Sequence, residues 1–306
     1  MKTIITGASG FVGQNLSRYL KQKNIFVEEL SLRNKEWSTQ LNQKANALIH
    51  LAGKAHDVEK TAEEKEYFEI NRDLTIELFH EFLKSEIQDF FFFSSVKAVV
   101  DHTESIVHEE MIPNPQTPYG KSKLEAELYL LAQNLPLNKR LFIIRPCMIH
   151  GPGNKGNLNI LFSVLEKGMP WPLVNFENHR SFLSIDNLSF MMYEMLNNKN
   201  LKSGIYNFAD DESLSTNELV VIINKVLGKK TKFLHLPKFI VYAIAKLGDV
   251  VNLPLNSERM KKLTENYVVS NQKIKNALGI NRLPVSPHQG ITDTIKSFKK
   301  IKDNLT

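Results

Sequence analysis

"TIITGASGFVGQNL", residues 3–16, decides how this chain is read. A short β-rich run ends directly before Gly7, Gly10 and Gly13, and an amphipathic helical pattern follows over 11–23. Strand, glycine turn and helix in that order form the context a dinucleotide fingerprint requires. The glycines permit a tight turn, close approach of backbone to a pyrophosphate and close helix packing. The helix N-terminus adds N–H donors and a favourable dipole. Gly7, Ser9, Gly10, Phe11, Val12 and Gly13 are therefore candidate cofactor contacts.

The pattern repeats outward from this loop. Short apolar runs, "FVEEL", "ALIHLAG", "FFFFSS" and "LFIIRP", alternate with longer helical stretches at 59–85 and 118–134. Strands that are apolar throughout are buried on both faces, and helices between them form βαβ units. The expected fold is α/β, a doubly wound parallel Rossmann sheet. Residues 1–150 would form the NAD(P)-binding part and 151–306 mainly a smaller substrate-binding lobe, with helices at 157–167, 186–198, 215–227, 237–247 and 287–300. "RSFLSI" and "IYNFA", within 181–210, are expected to return to the main sheet. Ligands of such sheets bind beyond the carboxyl ends of the strands. There the chain places "TGASG", "AGKAH", "SSVK" and "RPCMIHGPG".

Composition narrows the partners. The chain has 306 residues, 42% hydrophobic and 24% charged, with net charge +6 and a pI near 9.1. A scattered basic excess without a basic helix or zinc pattern suits phosphorylated small molecules, not nucleic acid. One cysteine, Cys147, excludes an internal disulfide framework and fits a reducing compartment. No metal-ligand spacing occurs, so no metal is expected. "MKTIIT" opens its apolar run at once, without the charged leader of a signal peptide. "FIVYAIAKLGDVVNL" (239–253) is interrupted by Lys246, Gly248 and Asp249 and reads as a core or lid helix, not a stable membrane insertion. A cytoplasmic protein is expected.

The second strand bears on the cofactor. An acidic residue for the ribose 2′-hydroxyl is expected about 20 residues after the first glycine. That position falls near Ser31, with Arg33 following; Glu28 and Glu29 come too early. A hydroxyl and a guanidinium suit a 2′-phosphate, so NADP(H) is expected over NAD(H), with NAD(H) possible.

In "TPYGKSKLEAE" (117–127), Tyr119 and Lys123 lie four residues apart, on one helix face. Thr117 is a good N-cap, Pro118 suits the first helical position, and Leu124, Leu128 and Leu131 continue an apolar stripe. A helix N-terminus and a neighbouring ammonium both lower a phenol pKa, which would make Tyr119 a general acid or base.

Together these residues resemble the extended short-chain dehydrogenase/reductase family, in its NAD-dependent epimerase/dehydratase branch. The matching elements are Thr6 to Gly13, "HLAG" (His50 to Gly53), Asn71 in "EINRDLT", Ser94 and Ser95, "YGKSK" and "IIRPCMIHGPG". The resemblance implies that Tyr119 transfers a proton while the nicotinamide exchanges a hydride with the same sugar carbon. Lys123 would hold the cofactor ribose, and Leu51, Ala52, Gly53, Asn71 and Pro146 would line the cofactor. The family's S-S-x-x-V-Y-G stretch reads "SSVKAVVD" here. Ser95 is assigned as the catalytic hydroxyl because Val96, its competitor in another register, cannot donate a hydrogen bond; Ser94 is read as structural. His50 and His56 are also read as structural. The connector "RNKEWSTQLNQKAN" is too short for the extra strand and helix usual in the family, so one edge strand should be missing.

"GPGNKGNLNILFSVLEKGMPWPL" and "NHRSFLSIDNL" resemble reductases of UDP-4-keto-6-deoxy-N-acetylhexosamines in surface polysaccharide synthesis. The resemblance implies that Asn157 and Leu158 approach the nucleotide and that Arg180 approaches the diphosphate; Arg259 is a secondary candidate for a second diphosphate contact. Val96 and Lys97 stand where dehydratases carry Asp-Glu, which argues against dehydration. A C4 epimerase with retained NAD and a non-catalytic NADPH-binding module are the alternatives. A homodimer through the 59–85 and 118–134 helices is implied as well.

Overall fold

The computed structural model describes residues 1–54, 63–154, 156–251 and 256–303. The elements, in chain order, are β1 (Lys2–Thr6), α1 (Phe11–Gln22), β2 (Phe26–Leu30), β3 (Ala47–His50), α2 (Glu64–Phe68), α3 (Leu74–Lys84), β4 (Asp89–Phe93), α4 (Pro118–Leu131), β5 (Arg140–Pro146) and β6 (Met148–His150). There follow α5 (Asn157–Glu166), β7 (Phe182–Ser184), α6 (Ile185–Asn197), β8 (Gly204–Phe208), α7 (Thr216–Leu227), α8 (Lys238–Val251), α9 (Ser257–Thr264), α10 (Gln272–Leu278) and α11 (Pro287–Asp303). A π-helical segment, Glu69–Asp73, joins α2 to α3.

Six parallel strands run in the order β2-β1-β3-β4-β5-β8. β3 and β4 are buried along their whole length, as their unbroken apolar sequences require. Their side chains alternate between two cores. Ile5, Ile49 and Phe91 face the layer that holds α1 and α6, and Ile4, Leu48, Phe90 and Phe92 face the layer of α3 and α4. A third core gathers Leu161, Trp171, Val220, Val241, Ala245 and Ile295 from α5, α7, α8, α11 and the loop after α5. β2 is an edge strand, so the short connector after it adds no further strand, in line with its length. That connector contains only a 3₁₀ turn, Trp37–Gln40, whose buried Trp37 plugs the core beside it.

Two expectations need correction. β8, containing "IYNF", does return to the main sheet, but β7 does not. It pairs in parallel with β6 in a separate two-stranded sheet. β6 starts right after Cys147, whose N–H donates to Phe208 O at 3.0 Å, so the chain leaves the main sheet there and carries β7 with it. The apolar stripe on α4 also points the other way: Leu128 and Leu131 are exposed, and the buried face is Gly120, Ser122, Lys123, Ala126, Glu127 and Leu130. This face is polar because it holds the site and a buried ion pair, in which Arg145 Nε donates to Glu127 Oε1 at 3.0 Å. His56 and the first residues of the 59–85 helical pattern lie outside the described residues.

Candidate active site

The carboxyl ends of β1, β3 and β4 meet the start of α4, and each contributes for a stated reason. Gly7 has φ +70°, a conformation L side chains rarely adopt, and a Cβ there would lie 2.6 Å from Ala52 N. A Cβ on Gly13 would lie 2.4 Å from Gly7 O. The loop thus packs its backbone directly on Leu51 and Ala52 at the end of β3. Gly10 caps α1 without a side-chain bond, leaving the first-turn N–H groups facing outward for an anion. Ser9 is exposed beside it, and Phe11 and Val12 open the helix half-buried. These residues fit a dinucleotide pyrophosphate. Ser31 and Arg33 stand exposed just past β2, on the same edge of the sheet. Pro146 is buried at the end of β5, opposite Phe208.

Gly53, Asn71 and Lys123 converge. A Cβ on Gly53 would stand 2.9 Å from Asn71 Oδ1 and 3.2 Å from Lys123 Nζ. Asn71 is buried in the π-helical segment, where the widened turn lets its amide reach inward. Its Oδ1 accepts from Lys54 N at 2.8 Å, and its Nδ2 donates to Ser122 Oγ at 3.1 Å. Asn71 therefore ties the β3 loop to α4. His50 is enclosed between Thr6 Oγ1 (2.7 Å) and Thr75 Oγ1 (2.9 Å). Burial, with help from the charge of Lys123, lowers its pKa to about 3, so it is a neutral structural imidazole.

α4 starts as its sequence requires. Thr117 Oγ1 accepts from Gly120 N at 3.2 Å, and Pro118 occupies the first turn. Asp101 fixes this start, accepting from Gln116 N (2.7 Å) and Thr117 Oγ1 (2.9 Å). Gly120 must be small, because a Cβ would lie 2.4 Å from Lys97 O. Helix and Ser95 turn are thereby locked together. Ser95 caps the 3₁₀ turn Val96–Ala98 and hydrogen-bonds the Tyr119 phenol. Ser94 Oγ, read as a structural hydroxyl, is buried without a hydrogen-bond partner. Val96 is buried, with no polar atom in its side chain to offer.

The electrostatics differ from the sequence expectation. Burial raises the Tyr119 pKa, and the opposing hydrogen bond from Ser95 is the smaller effect. Lys123 is engaged on the sheet side of the helix. Its Nζ donates to Phe93 O at 2.9 Å and lies 4.8 Å from the Phe92 ring centroid. Burial brings this ammonium down to about 8, against a weaker pull from Glu127.

A mostly apolar pocket lies between α5, α7, α9 and the loop that carries Trp171. It brings together Asn157, Leu158, Arg180 and Arg259, and adds Trp171 and Lys262. Arg180 Nη1 donates to Lys262 O, and the Lys97 pKa is lowered chiefly by burial, with a smaller contribution from the charge of Arg180, so the basic wall reaches the Ser95 turn. Sequence reasoning missed Asp101, Lys262 and Trp171. Lys262 had a signal, since it follows Arg259 by three residues on one helix and shares its face. Cys147 is buried and its thiol pKa is raised, which makes it inert. Among the described residues no group of three or more His, Cys, Asp or Glu is placed to hold a metal ion.

Glycine loop, parallel sheet and the Ser95–Tyr119–Lys123 arrangement define the class: an extended short-chain dehydrogenase/reductase. The profile of the "NAD dependent epimerase/dehydratase family" matches residues 3–209. The chain is 28% identical to UDP-glucose 4-epimerase of Vibrio cholerae, covering 96% of this chain and 94% of the relative. It is also 28% identical to N-acetyl-alpha-D-glucosaminyl-diphospho-ditrans,octacis-undecaprenol 4-epimerase of Escherichia coli O157:H7, over 89% and 84% of the two chains. The structure of RMD from Pseudomonas aeruginosa complexed with NADPH superposes with a TM-score of 0.75 at 20% identity, covering 98% of this chain and 99% of that one. This chain belongs to the NAD-dependent epimerase/dehydratase family and is an epimerase or oxidoreductase of that family.

Proposed function

We propose that the protein is a nucleotide-sugar 4-ketoreductase, acting on a UDP-4-keto-6-deoxy-N-acetylhexosamine of surface polysaccharide synthesis. The observation that supports this reading is the placement of Tyr119, in the first turn of α4, within hydrogen-bond reach of Ser95 at the end of β4. A reductase needs an acid in its resting state. When bound, the nicotinamide supplies the hydride to the carbonyl carbon. Tyr119 gives its proton to the carbonyl oxygen, Ser95 holds that oxygen, and Lys123 supports the cofactor ribose. Asn157 and Leu158 contact the nucleotide. Arg180 and Arg259, with Lys262, receive the diphosphate, for which guanidinium groups offer paired N–H donors.

Arg33 and Ser31, exposed past β2, support NADPH as the preferred reductant. The exposed Leu128 and Leu131 of α4 support a homodimer through that helix. A reduced nicotinamide pool and the single thiol fit a cytoplasmic site of action. Among the described residues no helix is long and apolar enough to cross a membrane.

A second reading, a 4-epimerase with retained NAD, is favoured by the names of the Vibrio and Escherichia relatives. Both of those names describe a sugar carried on a diphosphate, which the Arg180 pocket suits equally. NADPH oxidation at 340 nm, with the ketosugar generated in place by a dehydratase, separates the two. Turnover lost in Tyr119→Phe supports the reductase. Interconversion of UDP-N-acetylhexosamines without added cofactor, and NAD released on denaturation, would replace it with the epimerase.

A further inference from the structure

Helix α8 is apolar on two opposite faces, and only one of them is used. Val241, Ala245 and Gly248 are buried, and two of them enter the third core. At about 100° per residue, Phe239, Ala243, Leu247 and Val250 fall on the opposite side of the helix. Phe239 is 71% exposed, Leu247 57% and Val250 82%, with Val251 at 56% beside them. A helix that is apolar all round is normally enclosed. This one presents a continuous apolar ridge to solvent.

Charge surrounds the ridge on one side of the balance. Over residues 229–251, Lys229, Lys230, Lys232, Lys238 and Lys246 are exposed, and Asp249 is the one carboxylate. That carboxylate is already engaged, accepting from Ser257 N at 2.9 Å and Ser257 Oγ at 2.6 Å. Lys246 flanks the ridge on α8 itself. A second copy of the chain, docking isologously, would press one lysine rim against the other, and like charges oppose such contacts. Anionic headgroups complement both features at once, the acyl boundary taking the aromatic and aliphatic side chains and the phosphates taking the lysines.

The strap that leads into α8 adjoins the pocket lined by Arg180 and Trp171. Trp171, which lines the pocket, donates its backbone N–H to Lys232 O at 2.8 Å, and its backbone carbonyl accepts from Leu234 N at 2.9 Å. Phe176 packs edge-on against Tyr242 with ring centroids 5.8 Å apart. Phe233 and Leu234, on the same strap, are also exposed. We infer that α8 and the strap before it dock on an anionic bilayer surface, lying in the headgroup layer without spanning it, and hold the pocket at the membrane. The inference does not depend on which sugar the site takes.

Cosedimentation of the full chain with vesicles tests it. Binding is expected to equimolar phosphatidylcholine–phosphatidylglycerol vesicles, to weaken with added salt, and to be absent on phosphatidylcholine alone. The triple variant Phe239→Ser, Leu247→Ser, Val250→Ser should lose at least about tenfold in partition, with the melting temperature and turnover of soluble substrate kept. Lys230→Glu combined with Lys246→Glu should do the same through charge. No binding to the mixed vesicles, or equal binding by both variants, overturns the proposal. So does a wild-type dimer that the serine variant converts to monomer, which would assign the ridge to a second copy.

Discussion

Replacing Lys123 by methionine should stabilise the protein while disabling it. The ammonium is 5% exposed and its pKa falls from 10.5 to about 8. That drop corresponds to ~3 kcal/mol at about 1.4 kcal/mol per pH unit, a cost of burying the charge. Methionine has similar length and no charge. It forfeits the bond to Phe93 O, which leaves one buried carbonyl unpaired and takes back ~1–2 kcal/mol. The net expectation for Lys123→Met at pH 7 is a gain of ~1–2 kcal/mol, or ~1.5–3 °C in Tm for a chain of 306 residues.

The pH dependence has a definite sign. The folded pKa lies below the unfolded one, so between about pH 8 and 10.5 the unfolded chain binds the extra proton and the wild type gains stability as pH rises. The advantage of Lys123→Met is full below pH 8 and shrinks across that window, reaching about zero near pH 10. Parallel thermal melts of both proteins at pH 7 and pH 10 measure it, since other titrations are shared. Turnover should fall at least ~100-fold in the variant, because the cofactor ribose loses its support. A variant that melts lower than wild type at pH 7, or by the same margin at both pH values, refutes the reasoning.

Tyr119→Phe should lower NADPH-dependent turnover by ~10²–10⁴-fold with NADPH binding, followed by fluorescence, unchanged. Gly13→Ala places a methyl 2.4 Å from Gly7 O and 2.6 Å from Ala8 Cα, and should weaken cofactor affinity at least ~10-fold in the same titration. Glu127→Ala strands the buried Arg145 guanidinium and should cost ~3–5 kcal/mol in urea unfolding. Arg180→Ala should raise the KM for the sugar nucleotide by ~10–100-fold with a smaller change in kcat, the pattern of lost binding common to ground and transition states.

The parallel sheet was legible because its evidence is local and redundant. Buried strands such as "ALIH" and "FFFF" have no polar face to show, and Gly7 must be glycine wherever a strand turns tightly into a helix. The missing edge strand was legible from a count of residues. β7 was not, because a three-residue strand with two apolar side chains, "FLS", pairs as readily with β6 as with β5, and only the path of the chain after Cys147 decides between them.

That Tyr119, Lys123, Ser95, Gly53 and Asn71 are neighbours was legible in the candidate site, and the balance of forces on them was not. Spacing places Tyr119 and Lys123 on one helix face, but it says nothing of solvent, and solvent decides the sign. Once α4 is drawn onto the sheet by Gly120, desolvation of the phenol outweighs the hydrogen bond it receives, and the ammonium turns to the Phe93 carbonyl. The same burial explains why the apolar leucines of α4 face outward: the inward face is already taken by Ser122, Lys123 and Glu127. A helix whose polar residues do the chemistry must bury them, and its apolar surplus is left to meet something else. On α4 and again on α8 that surplus stays exposed, and the proposed homodimer and the proposed lipid contact rest on it, the lysines around α8 arguing there for a lipid surface over a second copy of the chain.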